Sequence, residues 1–249
     1  MGKKSKTKPD KSSNKKNGQG ILYFKNGNIR YEGSLVNGKP RGYGTMYNEN
    51  GNKSYEGQLK NGKYNGKGIM YNNGAKKYEG ECKDNYANGQ GISYFKNGNK
   101  EYDGSWVNGK ARGQGISYFE NGNKSYEGEW INHKANGQGI SYYKNGNKSY
   151  EGEWEDNKFN GKGIRYYKSG TYVKGFFKEG NLVEGAIFYK NGNSYEGSFR
   201  NNLFHGSGIY KLANGRSYKG EYENGHRVNC HERTSRRGIV TKKNFQELD

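Results

Sequence analysis

The sequence has few of the aliphatic residues from which most folded domains build their interior. Leu, Ile, Val and Phe together number 34 of 249 residues, or about 14%. Below about 20%, combined with a high net charge, the usual expectation is a disordered chain. The 24 Tyr and 42 Gly argue against disorder, because both recur at fixed intervals. A thin β-sheet with an aromatic core accounts for both features.

Long apolar segments and paired cysteines are also missing. No apolar run approaches the roughly 20 residues of a membrane-spanning helix, and the N-terminus lacks the apolar stretch of a secretory signal. The two cysteines, Cys82 and Cys230, form no disulfide framework, which fits a reducing compartment. We therefore expect a cytoplasmic protein, with peripheral attachment to a membrane as the alternative.

Basic residues exceed acidic residues, and half of the excess lies at the two ends. The formal net charge is +19, of which +6 falls in residues 1–16 and +3 in residues 226–249. This balance favours anionic partners, whether a membrane surface, a nucleic acid or an acidic protein. The candidate tether for anionic lipid consists of seven lysines in the first segment: Lys3, Lys4, Lys6, Lys8, Lys11, Lys15 and Lys16.

One column of glycines reveals an internal repeat. The steps between successive members are 24, 23, 24, 24, 24, 23, 22 and 23 residues. Such regular spacing is typical of a repeat protein. The repeat glycines are Gly33, Gly57, Gly80, Gly104, Gly128, Gly152, Gly175, Gly197 and Gly220.

One complete unit, residues 126–149, indicates what each repeat builds. Large and charged residues alternate in Tyr-Glu-Gly-Glu-Trp at 126–130, and a period of two predicts a β-strand. A polar turn follows, which in sister units is Asn-Gly, a strong hairpin signal because both residues accept positive φ. A second strand contains Gly137-Gln138-Gly139, and another Asn-Gly leads into the next unit. Each unit is predicted to be a hairpin with strands of about five or six residues.

Isolated hairpins are marginally stable, so about nine of them are expected to stack. The predicted fold is all-β: an elongated single-layer antiparallel solenoid of stacked β-hairpins, on the order of 80–90 Å long from strand spacing. The predicted organisation is a disordered basic tail at 1–16, a half-repeat cap at 17–30, the solenoid at 31–225 and a polar basic tail at 226–249.

The aromatic columns are the predicted core. By parity Tyr126 and Trp130 share a face with the repeat glycine, and we infer that large rings lie across Gly128, Gly137 and Gly139. Bending of the sheet by glycine is the alternative. The Tyr142 row has the opposite parity, and core and interface roles stay open for it. The candidate structural core of the three best-formed repeats is Tyr102, Trp106, Tyr126, Trp130, Tyr150 and Trp154.

The Tyr-Glu-Gly-Glu-Trp strand, the Asn-Gly turn and the following Gly-x-Gly resemble the MORN (membrane occupation and recognition nexus) repeat family over about residues 18–225. The resemblance implies an extended, twisted antiparallel sheet and roles in scaffolding, membrane proximity, dimerisation and cytoskeletal attachment. The seventh repeat departs most from the pattern, because Val173 replaces the strand tyrosine and Val183-Glu184-Gly185 replaces Gly-x-Gly. We expect this repeat to be the weakest.

No arrangement of residues predicts catalysis, a cofactor or a metal site. His226, Cys230 and His231 lie close in sequence but lack a fourth ligand at the usual spacing. About 24 residues follow the last repeat, which is too few for a catalytic domain. The glutamates of the first strands, such as Glu127 and Glu129, interrupt any positive track and argue against nucleic acid.

The predicted function is that of a non-enzymatic scaffold mediating protein–protein interaction. Its protein partners are not identified by the sequence, and self-association through open sheet edges is a further expectation. The alternative is a peripheral membrane protein that binds anionic phospholipid through its basic tail and its repeats.

Overall fold

The computed structural model describes residues 16–233, which form β-strands joined by tight turns. The predicted all-β class is confirmed, and neighbouring strands within each part of the chain pair antiparallel. Among the described residues, no helix is long and apolar enough to cross a membrane. The chain divides into two compact units, an N-terminal unit at Met1–Ala111 and a C-terminal unit at Arg112–Asp249.

The N-terminal unit is a single-layer sheet in which β1 to β8 pair in sequence order. Its first strand is the half-repeat that the sequence places before the first full hairpin. The strands are β1 Gly18–Tyr23, β2 Ile29–Val36, β3 Lys39–Tyr47, β4 Lys53–Lys60, β5 Lys63–Asn72, β6 Ala75–Lys83, β7 Tyr86–Tyr94 and β8 Lys100–Val107.

The C-terminal unit repeats the same arrangement, and β9 to β19 pair in sequence order. Strand β9 begins two residues before the unit boundary. The strands are β9 Lys110–Tyr118, β10 Lys124–Ile131, β11 Lys134–Tyr142, β12 Lys148–Glu155, β13 Lys158–Tyr166, β14 Tyr172–Lys178, β15 Asn181–Phe188, β16 Ser194–Arg200, β17 Leu203–Lys211, β18 Ser217–Glu223 and β19 His226–Arg233.

The hairpin turns have the backbone geometry predicted from Asn-Gly. Asn108 and Gly109 have φ values of 49° and 77°, as a two-residue turn with two positive φ angles requires. The turns between repeats are closed differently. At Gly146, the main-chain N–H donates to the oxygen of Tyr143 at 2.9 Å, and the Asn147 N–H donates to Oδ1 of Asn145 at 3.1 Å. Asparagine therefore stabilises both classes of turn.

Two boundaries differ from the sequence-based prediction. The strands are 6 to 10 residues long rather than five or six, because pairing continues into flanking positions such as Lys134. Pairing also continues past Gly225, where the sequence predicts a tail, since β19 pairs along β18 and places Cys230 opposite Gly220. Main-chain hydrogen bonds need no Gly-x-Gly motif, so this strand forms without it. Residues 234–249 lie outside the described residues.

Each sheet carries its aromatic core on one side, here called the core face. Tyr126 is buried, and its ring meets Trp130 and Trp154 edge to face at centroid distances of 5.0 and 5.1 Å. Such aromatic pairs add about 0.5–1.5 kcal/mol each beyond the area that they bury. The most completely buried large side chains are Tyr31, Tyr55, Tyr150, Tyr195, Phe177 and Leu35.

A candidate binding surface on the second face of the sheet

The opposite side of each sheet, here called the groove face, carries isoleucines and charged residues. Cross-strand pairing places Glu127 directly opposite Ile140, and Glu151 opposite both Ile140 and Ile164. In the C-terminal unit these residues line an open groove with a volume of about 810 Å³. Glycines of the repeat column form part of its floor, so the main chain itself is accessible there.

Lysine–carboxylate pairs border the grooves at regular intervals. Lys124 lies 2.7 Å from Glu127 and Lys148 lies 2.7 Å from Glu151, while the Tyr142 hydroxyl donates to Glu127 Oε2 at 3.3 Å. The N-terminal unit repeats the pattern at Lys53–Glu56, Lys76–Glu79 and Lys100–Asp103. This placement puts the Tyr142 row on the groove face, half-buried and hydrogen-bonded to acids.

The electrostatics of these pairs follow from their contacts. The hydrogen bond from Lys124 lowers the pKa of Glu127, and the same bond raises the pKa of Lys124. Burial, followed by the neighbouring Glu127 charge, raises the pKa of Tyr142. The lysine and glutamate therefore stay ionised, and the tyrosine stays protonated, at neutral pH. Because the side chains are largely exposed, each ion pair contributes at most about 1 kcal/mol to folding.

A second glycine column supports polar side chains rather than rings. A Cβ atom at Gly137 would lie 2.5 Å from Oε2 of Glu129, and Gly137 has a φ of +71°. In the next repeat, Glu153 accepts a hydrogen bond from the Lys162 N–H at 2.9 Å. The inference that a ring covers Gly137 was therefore wrong. Its Glu neighbour folds over a bulge that only glycine enters without strain.

The inference of ring-on-glycine packing is confirmed at Gly139, whereas at Gly128 a Cβ atom would meet the main chain of Gln138 and Gly139 as well as the Tyr126 hydroxyl. A Cβ atom at Gly139 would lie 2.6 Å from Cε2 of Tyr126, and one at Gly128 would lie 2.7 Å from its hydroxyl oxygen. These glycines permit the tyrosine ring to lie flat against the sheet. Bending of the sheet is not needed to explain them.

A smaller groove of about 450 Å³ lies on the groove face of the N-terminal unit. Ile69 and Ile92 form its apolar floor, and Tyr43 stands at its border with 64% of its surface exposed. Lys67, Glu79, Glu81 and Asp103 supply its charges. The groove faces of the two units are thus similar, but different aromatic side chains border their grooves.

The seventh repeat breaks the regular pattern on the groove face. Tyr172 pairs with Tyr166 as Lys148 pairs with Tyr142, so a tyrosine stands where the other central repeats have lysine. Lys174 and Phe176 take the positions of Glu151 and Glu153 in the preceding repeat. Phe176 is 47% exposed and Tyr172 39% exposed. The sequence pattern predicted that the seventh repeat would be the weakest, but it did not predict that these residues form a surface.

The predicted core residues occupy the core face, although not all are buried. Tyr102, Trp106, Tyr126 and Tyr150 are buried, whereas Trp130 and Trp154 are half-buried. The indole N–H groups of Trp130 and Trp154 donate to the main-chain oxygens of Gly115 and Gly139 at 3.0 and 3.1 Å. Cys82, in the same column, is buried among tyrosines as predicted for a small hydrophobe.

The predicted lipid tether lies almost entirely outside the described residues. Lys16 is its one member within 16–233, where its side chain is exposed and its main-chain oxygen accepts from the Gly38 N–H at 2.8 Å. The remaining members are Lys3, Lys4, Lys6, Lys8, Lys11 and Lys15. Across residues 16–233, no group of three or more His, Cys, Asp or Glu side chains is arranged to hold a metal ion.

Comparison with protein-family models finds eight matches to the MORN repeat. They cover more than two thirds of the 249 residues, at 11–29, 31–53, 55–76, 78–100, 102–124, 126–148, 150–172 and 195–215. The chain belongs to the MORN repeat family. A comparison with curated protein sequences finds no significant match. The matches pass over residues 173–194, so most of the repeat with the exposed groove-face aromatics is not matched.

Proposed function

We propose that this MORN-repeat protein is a non-enzymatic scaffold that binds segments of other proteins on its groove face. The observation that carries the proposal is the C-terminal groove of about 810 Å³, with Ile140 and Ile164 on its floor and charged residues at its border. An apolar floor inside a polar rim is the usual composition of a protein-binding site. The aromatic core face packs its rings onto the sheet and leaves fewer groups to contact a partner.

Affinity capture with chemical cross-linking from native lysate tests this function. The full chain is compared with an Ile140→Gln, Ile164→Gln double variant, and circular dichroism checks that both have the same strand content. We expect proteins cross-linked near Lys162 and Lys174 to be lost from the variant. Partners retained equally by the variant would place binding elsewhere and overturn the proposal.

The second candidate function is attachment to anionic membranes through the N-terminal lysines. Residues 1–16 carry +6, and each lysine near an anionic surface contributes at most about 1 kcal/mol. Residues 2–20 contain no large apolar side chain to insert into the bilayer, so binding through the lysines would be reversible and sensitive to salt. This function predicts a cytoplasmic protein held at the membrane periphery.

Liposome co-sedimentation separates the two candidates. Vesicles containing phosphatidylserine should retain the full chain at about 0.15 M salt, and removal of residues 1–16 should abolish most of the binding. Vesicles of neutral phosphatidylcholine serve as the control. If the shortened chain binds equally well, the repeats themselves contact lipid. If neither chain binds, the membrane function is excluded.

A further inference from the structure

Phe176 stands in a column of the groove face that is otherwise polar. The position belongs to the first strand of each repeat, two residues before the strand ends. Across the repeats it reads Ser34, Gln58, Glu81, Ser105, Glu129, Glu153, Phe176, Ser198 and Glu221. Phe176 is 47% exposed, and an aromatic ring left in water at the border of a groove is a frequent mark of a contact site.

The second glycine column changes together with this residue. In the preceding repeats, Gly137 and Gly161 are needed because Glu129 and Glu153 fold over them. In the seventh repeat the residue that corresponds to Gly137 is Val183, which is unpaired at the irregularity between β14 and β15 and is not among the residues with positive φ. The seventh repeat therefore has no carboxylate folded over a bulge glycine, and its phenylalanine projects from the sheet. Because Phe176 and Val183 both depart from the repeat pattern, the seventh repeat differs from the others over a local surface and not at one side chain only.

The charges around Phe176 differ from the rest of the groove face. Lys162 lies directly across from Phe176 on β13, Glu184 lies across from it on β15, and Lys174 is two residues before it on the same face. Within residues 16–233, neither lysine has an ion-pair partner, whereas Lys124 and Lys148 are neutralised by glutamates. Glu153 and Glu184 also border the ring, but in the described part of the chain neither forms an ion pair with these lysines, so two ammonium groups beside Phe176 stay open to a partner's carboxylates.

More aromatic rings extend this surface along β14. Tyr172 stacks on Phe188 with ring centroids 4.7 Å apart and contacts Tyr166 at 6.5 Å. Tyr172 replaces the lysine that forms an ion pair in the preceding repeats, so the seventh repeat lacks the lysine–glutamate pair within its first strand. Besides the two lysines, the surface thus has the Phe176 ring at one end and the stacked rings of Tyr172 and Phe188 at the other.

We propose that the seventh repeat is the specificity-determining contact of the groove, and that it binds a partner segment in which large apolar side chains lie next to Asp or Glu. The apolar side chains pack on Phe176 and on the Tyr172–Phe188 stack, while the carboxylates pair with Lys162 and Lys174. This inference rests on the proposed protein-binding function and assigns it a partner chemistry. Exposed aromatic anchors supply most of the affinity, and the paired charges select the partner.

Selection from a random peptide library displayed on phage tests the partner chemistry directly. The immobilised full chain is the target, and the enriched peptides are synthesised with a fluorescent label for affinity measurement. We expect them to combine aromatic or large aliphatic residues with Asp or Glu. Phe176→Ser, which installs a residue already used in the same column, should weaken their binding by about tenfold or more.

Charge reversal and a matched control complete the design. Lys174→Glu, which restores the usual residue of its column, should also weaken the selected peptides by about tenfold at low salt, and a fresh selection on this variant should enrich Lys or Arg. Val228→Ser removes another apolar side chain of the same unit that is 63% exposed, and should leave the affinity unchanged. Enrichment of basic peptides on the wild-type chain, or indifference to Phe176→Ser, would overturn the inference.

The floor variant separates failure of the inference from failure of the proposed function. Peptides that lose affinity to the Ile140→Gln, Ile164→Gln variant but not to Phe176→Ser use the groove without the seventh repeat, and only the inference then fails. If the affinity of the peptides is unchanged by both sets of variants, or if no peptide is enriched from the library, the proposed groove binding itself is contradicted. Strand content of every variant is compared by circular dichroism.

Discussion

The hydroxyl of Tyr126 donates a hydrogen bond to the main-chain oxygen of Glu129, 3.1 Å away in the same strand. The same contact, from a tyrosine to the oxygen three residues later, joins Tyr55 to Gln58 at 2.8 Å and Tyr78 to Glu81 at 2.7 Å. It holds each ring flat over the glycines and satisfies a hydroxyl that burial would otherwise leave unpaired. The tyrosine thus forms a hydrogen bond within its own strand and also packs against neighbouring strands.

Substitution of Gly139 tests the packing of ring on glycine. Gly139→Ala places a methyl group against the Tyr126 ring and should lower the free energy of unfolding by about 3 kcal/mol. In a Tyr126→Leu background the same substitution should cost less than about 1 kcal/mol, because the obstructing ring is gone. Urea denaturation of the four proteins measures this coupling. Additive losses would show that the ring does not lie on Gly139.

A turn glycine provides the control for that experiment. A Cβ atom at Gly146 would meet no atom within 4 Å, although the residue has a φ of +89°. Gly146→Ala should therefore cost about 1–2 kcal/mol from backbone strain alone. Its effect should be unchanged in the Tyr126→Leu background.

The tryptophan column should show graded sensitivity to truncation. Trp106 is 8% exposed, and its indole N–H donates to the Gly91 oxygen at 2.9 Å, whereas Trp130 is half-buried. We expect Trp106→Ala to cost about 4 kcal/mol and Trp130→Ala about 2 kcal/mol. Hydrogen exchange should detect the damage mainly in adjacent strands, because repeat coupling is between neighbours. A larger loss at Trp130 would contradict this ranking.

Alkaline pH should destabilise the fold through its buried tyrosines. Burial raises the pKa of Tyr102 from 10.0 to about 12, and it also raises the pKa of Tyr126 and Tyr150. Since the folded state holds these protons more tightly, the stabilisation is complete below about pH 10 and is lost as the pH rises towards 12. Urea midpoints at increasing pH, compared with phenolate absorbance, measure the effect. Tyr102→Phe should weaken the dependence, and a flat profile would contradict the burial.

The two cysteines should differ in reactivity. Burial raises the pKa of Cys82 to about 11, and Cys82 is buried, whereas Cys230 is only half-buried in β19. Alkylation requires an accessible thiolate, so iodoacetamide should modify Cys230 first in the native protein. Mass spectrometry of a time course gives both rates, and urea should equalise them. Faster labelling of Cys82 would mean that its strand is not packed as described.

The repeat predicts the fold well because its period is read directly from residue spacing. The glycine column, the Asn-Gly turns and the alternation in Tyr126–Trp130 fix strand order, turn type and the face of each ring. The second glycine column was harder to interpret, because Gly137 and Gly139 have the same parity and only the bulge distinguishes them. Strand β19 was missed because main-chain pairing leaves no residue motif when the glycines are absent.

The groove-face surface could be predicted only in part. The acids of the first strands and the Tyr142 row are visible in the sequence, and their parity gives their face. Spacing alone does not reveal that Tyr172 takes the position of Lys148. Lys148 lies four residues before its repeat glycine and Tyr172 only three, because the bulge at Ser149 is absent from β14. A register shift of one residue moves every side chain to the other face, so the pairing itself had to be seen.

The contact between Tyr126 and Glu129 begins and ends within one strand, and the glycines beneath the ring belong to the same hairpin. A repeat therefore carries its principal ring, the space for that ring and the acceptor for its hydroxyl together. Tandem duplication or loss of one such segment in a gene would add or remove a complete hairpin with its own packing contacts. No distant position would need to change with it. Lineages could thus lengthen or shorten this protein by recombination while single residues, such as Phe176, diverge to suit a new ligand.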